Sequence, residues 1–141
     1  MRAKTFEAAF NLLCGQKIGE GIHREVFECK LDASLVVKVE TDEDYRTFAN
    51  AYEWRNWDEN QYWKPVANWL APCVSISPCG LILLQKRSDP LREAELPEKL
   101  PAFLTDIKPS HFGKLDGRIV CCDYTRLITT ISHRLKKAEW G

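Results

Sequence analysis

The sequence predicts an α+β fold in which a few helices accompany five short strands within the first 86 residues. Apolar residues at positions i, i+3, i+4 and i+7 mark a helix over residues 4–13. The runs that follow are rich in β-branched residues and are separated by Gly, Pro and Asp turns. An Asp116-Gly117 pair between two apolar segments is a strong short-range signal of a β-hairpin.

The elements follow in order along the chain. The predicted strands cover residues 16–19, 25–31, 34–40, 71–77 and 80–85. A helix is expected to begin at Thr41, where Thr41 and Asp44 approximate a capping box. Three prolines limit residues 88–105 to one or two short helices. Residues 126–137 carry Leu and Ile at helical spacing and a basic end, which predicts a C-terminal helix.

Composition narrows the classes of function. The 141 residues carry zero formal net charge, which gives no support to bulk electrostatic binding of nucleic acid or membrane. No apolar run approaches the roughly 20 residues of a membrane span. Glu7 and Asn11 interrupt the N-terminal segment, so a signal peptide is not expected. The six cysteines contain no Cys-x2-Cys pair, and reduced thiols in a cytoplasmic protein are the favoured interpretation.

Two candidate catalytic carboxylates flank the predicted hairpin. Asp106 precedes its first strand, and Asp123 follows its second strand, the run Arg-Ile-Val-Cys-Cys. A hairpin brings its outer ends together, so both carboxylates are expected near one point. That arrangement suits phosphoryl transfer, in which one carboxylate holds metal-bound phosphate and the other orients an attacking hydroxyl.

The order of these residues resembles the catalytic and metal-binding loops of protein kinases. The family pattern H-R-D-x-K-P-x-N, followed by a hairpin and D-F-G, lies over residues 104–111 and 123–125. Asp106, Lys108, Pro109 and Asp123 match it. The sequence departs from it by placing Leu and Thr before Asp106, His111 at the metal-binding Asn, and Thr in place of the Gly of D-F-G.

Earlier segments are similar to the other kinase motifs. The run from Gly19 to Phe27 resembles the glycine-rich loop G-x-G-x-x-G-x-V, the strand Val-Val-Lys-Val resembles V-A-I-K, and residues 81–87 resemble the hinge that meets adenine. The residues that these matches assign to nucleotide binding are Gly19, Gly21, Arg24, Val26, Lys38 and Gln85. Glu53 is the candidate helix glutamate that pairs with Lys38. Each match alone also fits a plain turn, a solvent-facing lysine or an exposed glutamate.

The resemblance implies a single kinase-like domain, with a five-stranded antiparallel N-lobe over about residues 1–86 and a reduced C-lobe over about residues 87–141. It is most similar to the short kinase-like proteins of bacteriophages. It implies binding of ATP and Mg²⁺, with Asp123 and His111 as metal contacts. Asp106, Lys108, Lys38 and Glu53 take the catalytic roles, and Arg24 in place of the third glycine is expected to meet a phosphate.

Two alternatives remain open. The departures at Arg24, His111 and Thr125, and the missing peptide-binding helices, also fit a pseudokinase that engages another protein without phosphoryl transfer. A metal or thiol site around His111, Cys121 and Cys122 is a third hypothesis, although adjacent strand residues point to opposite faces. The expected partners are a nucleotide and a protein substrate or protein partner, and the apolar surface of a truncated lobe calls for either a homo-oligomer or such a partner.

Overall fold

The computed structural model describes residues 2–41, 47–128 and 134–141, which form an α+β fold. The chain divides into two compact units. Unit 1 comprises Met1–Ala51 and Cys73–Arg87, and unit 2 comprises Tyr52–Pro72 and Ser88–Gly141. The break after Arg87 lies close to the predicted lobe boundary, but Tyr52–Pro72 groups with the later part of the chain.

Unit 1 is a helix and a five-stranded sheet. Its elements are α1 (Arg2–Leu13), β1 (Cys14–Glu20), β2 (Arg24–Cys29), β3 (Leu35–Glu40), β4 (Cys73–Ile76) and β5 (Ile82–Lys86). The strands are ordered β1-β2-β3-β5-β4, and every neighbouring pair is antiparallel. The predicted five-stranded antiparallel sheet is therefore confirmed.

Strand β3 lies at the centre of the sheet, and its near-continuous apolar sequence Leu-Val-Val-Lys-Val-Glu fits a strand with little contact to water. Leu35 and Val37 pack with Cys14 and Cys29 in one apolar core, against which Phe10 and Leu13 of α1 pack. Because side chains alternate between faces, Lys38 points to the face opposite α1.

Helix α2 (Ala49–Asn60) begins later than the sequence predicted. The predicted start at Thr41 is wrong, because Thr41, Thr47 and Phe48 are not helical; Asp44 of the expected capping box lies outside the described residues. Phe48 has a φ of 57°, which a right-handed helix cannot continue through. The Glu40 carboxylate instead accepts a hydrogen bond from the Ala49 N–H at 3.1 Å, at the positive end of the helix.

Unit 2 is built from short elements. They are α3 (Lys64–Ala67), β6 (Asp89–Pro90), β7 (Lys99–Pro101), β8 (Phe112–Leu115), β9 (Arg118–Cys121) and β10 (Leu135–Lys137). Strands β6, β8 and β9 form one sheet, and β7 pairs with β10 in another. Within residues 88–105 a single 3₁₀ turn, Glu93–Glu95, agrees with the expectation of at most one or two short helices.

The predicted helix over residues 126–137 is wrong for its described part. Leu127 forms an antiparallel bridge with Leu104, and Leu135 lies opposite Pro101 in the β7–β10 ladder. These pairings supply backbone hydrogen-bond partners from distant parts of the chain, so the local helical spacing of apolar residues does not decide the structure. Ile131, part of that spacing, lies outside the described residues.

The apolar core of unit 2 contains ten described residues that are at most 2% exposed: Val66, Leu70, Ala71, Leu100, Phe103, Leu104, Phe112, Val120, Cys121 and Tyr124. Among the described residues, no helix is both long and apolar enough to cross a membrane.

Candidate functional site

The predicted hairpin is present and is closed by the predicted turn. Strands β8 and β9 are antiparallel, with Phe112 opposite Cys121 and Leu115 opposite Arg118. Asp116 and Gly117 have φ angles of 52° and 78°, the pair of positive values that a two-residue type I′ turn requires. This short connection returns the chain to its starting point, so the segments before β8 and after β9 lie side by side.

Asp106 lies in the loop before this hairpin and has a φ of 52°. A positive φ is uncommon outside glycine, although aspartate tolerates it better than most residues. The Asp106 side chain is 58% exposed, and its Oδ1 lies 3.6 Å from Nζ of Lys108. The carboxylate is therefore accessible to solutes, with an ammonium group beside it.

His111 lies between the two candidate carboxylates. Its Nδ1 lies 2.9 Å from the backbone oxygen of Asp106 and 3.8 Å from Oδ2 of the same residue. Its Nε2 lies 3.4 Å from Oδ2 of Asp123. The hairpin therefore brings Asp106 and Asp123 to opposite edges of one imidazole, as the sequence predicted for the two carboxylates.

The contacts of His111 fix its tautomer in the neutral state. A backbone carbonyl can only accept a hydrogen bond, so Nδ1 carries the proton and donates it to the Asp106 oxygen. Nε2 then presents a lone pair toward the Asp123 carboxylate. An imidazole nitrogen and a carboxylate oxygen with this spacing form a pair of donors suited to a cation.

The donor set is small for a metal ion. No group of three or more His, Cys, Asp or Glu side chains that could hold a metal ion is found among the described residues. Magnesium in phosphoryl-transfer sites is commonly held by one or two carboxylates, with water and substrate phosphates completing the octahedron. Asp123 supplies one carboxylate of such a site, whereas Nε2 of His111 is a nitrogen donor that magnesium binds less readily than oxygen.

Asp123 is positioned through its neighbour Tyr124, whose backbone is held by two side chains of α2. Oε1 of Glu53 accepts a hydrogen bond from the Tyr124 N–H at 2.9 Å. Nδ2 of Asn56 donates to the Tyr124 oxygen at 2.8 Å. The Tyr124 hydroxyl donates to the backbone oxygen of Ala71 at 2.5 Å. We call this arrangement of Glu53, Asn56 and Ala71 around Tyr124 the Tyr124 clamp.

Sequence reasoning assigned Glu53 as the partner of Lys38 and missed the clamp. Glu53 is fully buried, and its carboxylate binds the backbone of the segment that resembles D-F-G. Glu53 belongs to unit 2 and Lys38 to unit 1. The sequence offers one signal for Asn56, an amide side chain three residues after Glu53 on the same helix.

Cys121 and Cys122 differ in their environment. The Cys121 thiol is buried and donates to the backbone oxygen of Asp123 at 3.2 Å, and burial raises its pKa well above the ordinary value. A thiol must lose its proton to bind a metal or to act as a nucleophile. The sulfur of Cys122 lies 3.8 Å from the backbone oxygen of Ser110. These properties count against the metal or thiol site with His111.

In unit 1 the predicted nucleotide contacts of the central strands share one face. Lys38 of β3 lies opposite Val26 of β2, and Val36 lies opposite Gln85 of β5. Residues directly opposite each other point to the same side of a sheet, so Val26, Lys38 and Gln85 lie on the face away from α1. Lys38 is 4% exposed, and its backbone oxygen accepts from Nδ2 of Asn50 at 3.1 Å.

The glycine turn joins β1 to β2. Gly19 lies opposite Val26, and the Gly21 N–H donates to the Arg24 oxygen at 2.8 Å. A Cβ would fit at Gly19 and Gly21, with its nearest neighbours at 3.5 Å and 3.8 Å. Arg24 is buried, and its Nη1 donates to Oδ1 of Asn50 at 3.2 Å. The guanidinium expected to meet a phosphate is thus bound within the protein.

The predicted site residues therefore form two groups. Asp106, Lys108, His111 and Asp123 come together in unit 2, and Val26, Lys38 and Gln85 share a sheet face in unit 1. Comparison of the sequence with models of known protein families finds no match, and none of the curated proteins matches it.

Proposed function

We propose that this chain is a protein-kinase-like protein that binds ATP with Mg²⁺ and transfers the γ-phosphoryl group to a hydroxyl acceptor. The observation that carries the proposal is the position of His111 between the carboxylates of Asp106 and Asp123, at 3.8 Å and 3.4 Å. Protein kinases use two aspartates with separate roles, one that binds the metal and one that accepts the proton of the substrate hydroxyl. The order of the matching motifs along the chain supports the same reading.

In this proposal Asp106 orients the acceptor hydroxyl and receives its proton. A positioned general base of this kind contributes typically about 10²–10⁴-fold in rate. Lys108 lies beside it and steadies the negative charge of the transferred group. Asp123 and Nε2 of His111 hold the metal, which neutralises phosphate charge when bound. The Tyr124 clamp keeps Asp123 in place.

The unit 1 residues are assigned to the nucleotide. Lys38 contacts its phosphates, the backbone at Gly19 and Gly21 approaches them, and the chain around Gln85 meets the adenine. The absence of a steric need for glycine in this turn supports a role in close approach of a ligand. Arg24 has no phosphate contact in this assignment, because its guanidinium binds Asn50.

The second candidate is a pseudokinase that binds a protein partner without phosphoryl transfer. The observation that favours it is the buried Arg24, which is bonded to Asn50 where the family pattern has a third glycine. The imidazole of His111 is also a poorer magnesium ligand than the oxygen donor that it replaces. Asp123→Asn separates the two readings, since it removes activity in the first and leaves partner binding intact in the second.

The testing experiment is a titration of the full chain with ATP, with and without Mg²⁺, followed by tryptophan fluorescence and thermal midpoint. We expect saturable binding that Mg²⁺ strengthens and that Lys38→Met and Asp123→Asn each weaken by about tenfold or more. Asp116→Asn is the matched control for Asp123, because it removes the same charge and Asn-Gly preserves the type I′ turn.

Lys86→Met is the matched control for Lys38→Met. Lys86 lies on the neighbouring strand β5, and its side chain points to the other face of the sheet. Metal-dependent binding that both site variants lose makes phosphate transfer from labelled ATP the next measurement. A folded wild-type chain that does not bind millimolar ATP would contradict the proposal and favour the second candidate, a pseudokinase that binds a protein partner.

A further inference from the structure

Strands β1 and β2 place two cysteines directly opposite each other within unit 1. Cys14 begins β1, Cys29 ends β2, and the two are partners in the antiparallel ladder. Directly opposite residues point to the same face of a sheet, and both side chains belong to the apolar core against which α1 packs. Both are free thiols in the structure, and each is 5% exposed. The fold therefore holds together two thiols that are distant in sequence.

The backbone hydrogen bond beside the two cysteines shows which kind of pair they form. The Lys30 N–H donates to the Leu13 oxygen at 2.8 Å, and these residues lie one position outside the two cysteines. Hydrogen-bonded and non-hydrogen-bonded pairs alternate along an antiparallel ladder, so Cys14 and Cys29 form a non-hydrogen-bonded pair. The Cα atoms of such pairs lie about 4.5 Å apart, within the range of about 4.4–6.8 Å that a disulfide spans. The backbone spacing of the pair is thus compatible with a disulfide.

The two strands also approach each other closely next to the cysteines. A Cβ at Gly15 would lie 3.3 Å from Cβ of Glu28, which is closer than directly opposite side chains normally come. Between Cys14 and Lys17 the register shifts, so that β1 contains one residue more than β2, as in a β-bulge. A covalent bond between the cysteines would therefore hold the start of β1 at a place where the ladder is interrupted.

We propose that Cys14 and Cys29 are a site of reversible oxidation, at which a peroxide converts the two thiols into a disulfide that fastens the start of β1 to β2. The inference does not depend on the proposed phosphoryl transfer, because it uses only the β1–β2 ladder. The disulfide closes a loop over residues 14–29, which includes the glycine turn. A cross-link of this kind stabilises a fold mainly because it restricts the unfolded chain.

The oxidation balances with one molecule of hydrogen peroxide. The first cysteine, as its thiolate, attacks one peroxide oxygen, the O–O bond breaks, and the leaving hydroxide takes up the thiol proton to form water. The second cysteine attacks the resulting sulfenic acid. An S–S bond forms, the S–O bond breaks, and the oxygen leaves as a second water with the proton of the second thiol. The two sulfurs together lose two electrons, which reduce the peroxide to water.

Burial of the pair determines how readily it is oxidised. Burial, and in second place the neighbouring Cys29, raise the pKa of the Cys14 thiol, while Lys30 lowers that pKa by a smaller amount. A thiol with a raised pKa forms little thiolate near neutral pH and therefore reacts slowly. The pair is expected to stay reduced unless the protein is exposed to an oxidant for a sustained period.

The test exposes the folded full chain to hydrogen peroxide, caps the remaining thiols with N-ethylmaleimide in denaturant, and digests the protein with trypsin without reduction. Cleavage after lysine and arginine places Cys14 in peptide 5–17 and Cys29 in peptide 25–30. We expect mass spectrometry to find these two peptides joined, with the loss of two hydrogen atoms, and dithiothreitol to separate them. The thermal midpoint of the oxidised chain should rise by about 5 °C or more, because the disulfide closes a loop.

Cys14→Ala should abolish both the linked peptides and the rise in thermal midpoint. Cys73→Ala is the matched control, because it removes another buried thiol of the same sheet, one that lies opposite Gln85. This control should oxidise as the wild type does. A chain that stays folded in peroxide without forming the linked peptides overturns the inference, and so does a linked chain whose thermal midpoint does not rise. The peptide map of the wild type decides the question even if a variant fails to fold.

Discussion

Strand β3 of unit 1 and the segment around Tyr124 of unit 2 are both buried, but their backbones are held in different ways. Strand β3 pairs along one edge with β2 and along the other with β5. Tyr124 lies outside the strands, and side chains of Glu53 and Asn56 bind its N–H and carbonyl. A regular ladder satisfies the first backbone, and individually placed polar side chains satisfy the second.

The ladder of β3 supports the fold, whereas the side chains around Tyr124 position one particular segment. Ladder hydrogen bonds and an apolar core tolerate many sequences, provided that the pattern of apolar residues is kept. A buried carboxylate and a buried amide that bind the N–H and the C=O of one residue depend on particular side chains, and each loss leaves a polar group without its partner. In this molecule the second kind of support adjoins Asp123, the residue with the most demanding proposed role.

The largest expected effect is the loss of a buried apolar side chain from the sheet of unit 1. Leu83 of β5 is fully buried, and Leu83→Ala should lower the free energy of unfolding by about 2–5 kcal/mol, as for other buried leucines. Leu81→Ala is the control, since Leu81 is 40% exposed. Urea denaturation measures both. Equal losses in the two variants would show that burial in the sheet does not govern stability here.

A smaller loss in the free energy of unfolding is expected when one hydrogen bond of the Tyr124 clamp is removed. Asn56→Leu keeps the side-chain size but removes the donor to the Tyr124 carbonyl, and leaving that buried group unsatisfied should cost about 1–3 kcal/mol. The Tyr124 amide should also exchange its hydrogen faster, because the backbone of Tyr124 is held by one side chain fewer. Denaturation and hydrogen exchange provide the two measurements.

Asn11→Leu is the control for Asn56→Leu, because Asn11 is an exposed asparagine of α1. A surface change of this kind is expected to stay within about 0.5 kcal/mol. If Asn56→Leu matched this control in both measurements, the clamp would not contribute to holding Tyr124.

The same contrast explains what the sequence could predict. The five strands and the Asp116-Gly117 hairpin follow from β-rich runs and turn residues that are local in sequence, and all of them are present. The predicted helix over residues 126–137 is wrong for its described part, because Leu127 and Leu135 pair with residues more than 20 positions earlier. Local periodicity carries no information about such partners.

In the candidate site, too, the features that are local in sequence could be predicted and the contacts between distant residues could not. The approach of Asp106 and Asp123 could be predicted, because a hairpin brings its outer ends together. The clamp could not be predicted, because Asn56 meets Tyr124 across 68 positions of sequence. The tautomer of His111 depends on a contact with the Asp106 backbone oxygen, which a sequence pattern does not specify.

An exposed polar contact in unit 2 offers the smallest expected effect. Oε1 of Glu95 accepts hydrogen bonds from the N–H and Nε of Arg92, at 2.9 Å and 3.1 Å. Nζ of Lys114 in β8 lies 3.4 Å from Oε2. The hydrogen bond from the Arg92 backbone, together with the side chains of Arg92 and Lys114, lowers the pKa of Glu95 from 4.5 to about 2.

A carboxylate whose pKa is lower in the folded state stabilises the fold above its unfolded pKa and loses that contribution as the pH falls through the folded value. The wild type should therefore exceed Glu95→Gln in urea midpoint above about pH 4.5, and the difference should vanish toward about pH 2. Glu93→Gln, in the same 3₁₀ turn, is the control. A difference that persisted unchanged at the acid end would show that Glu95 acts through packing, and that exposed polar contacts in unit 2 do not hold the backbone as the buried clamp does.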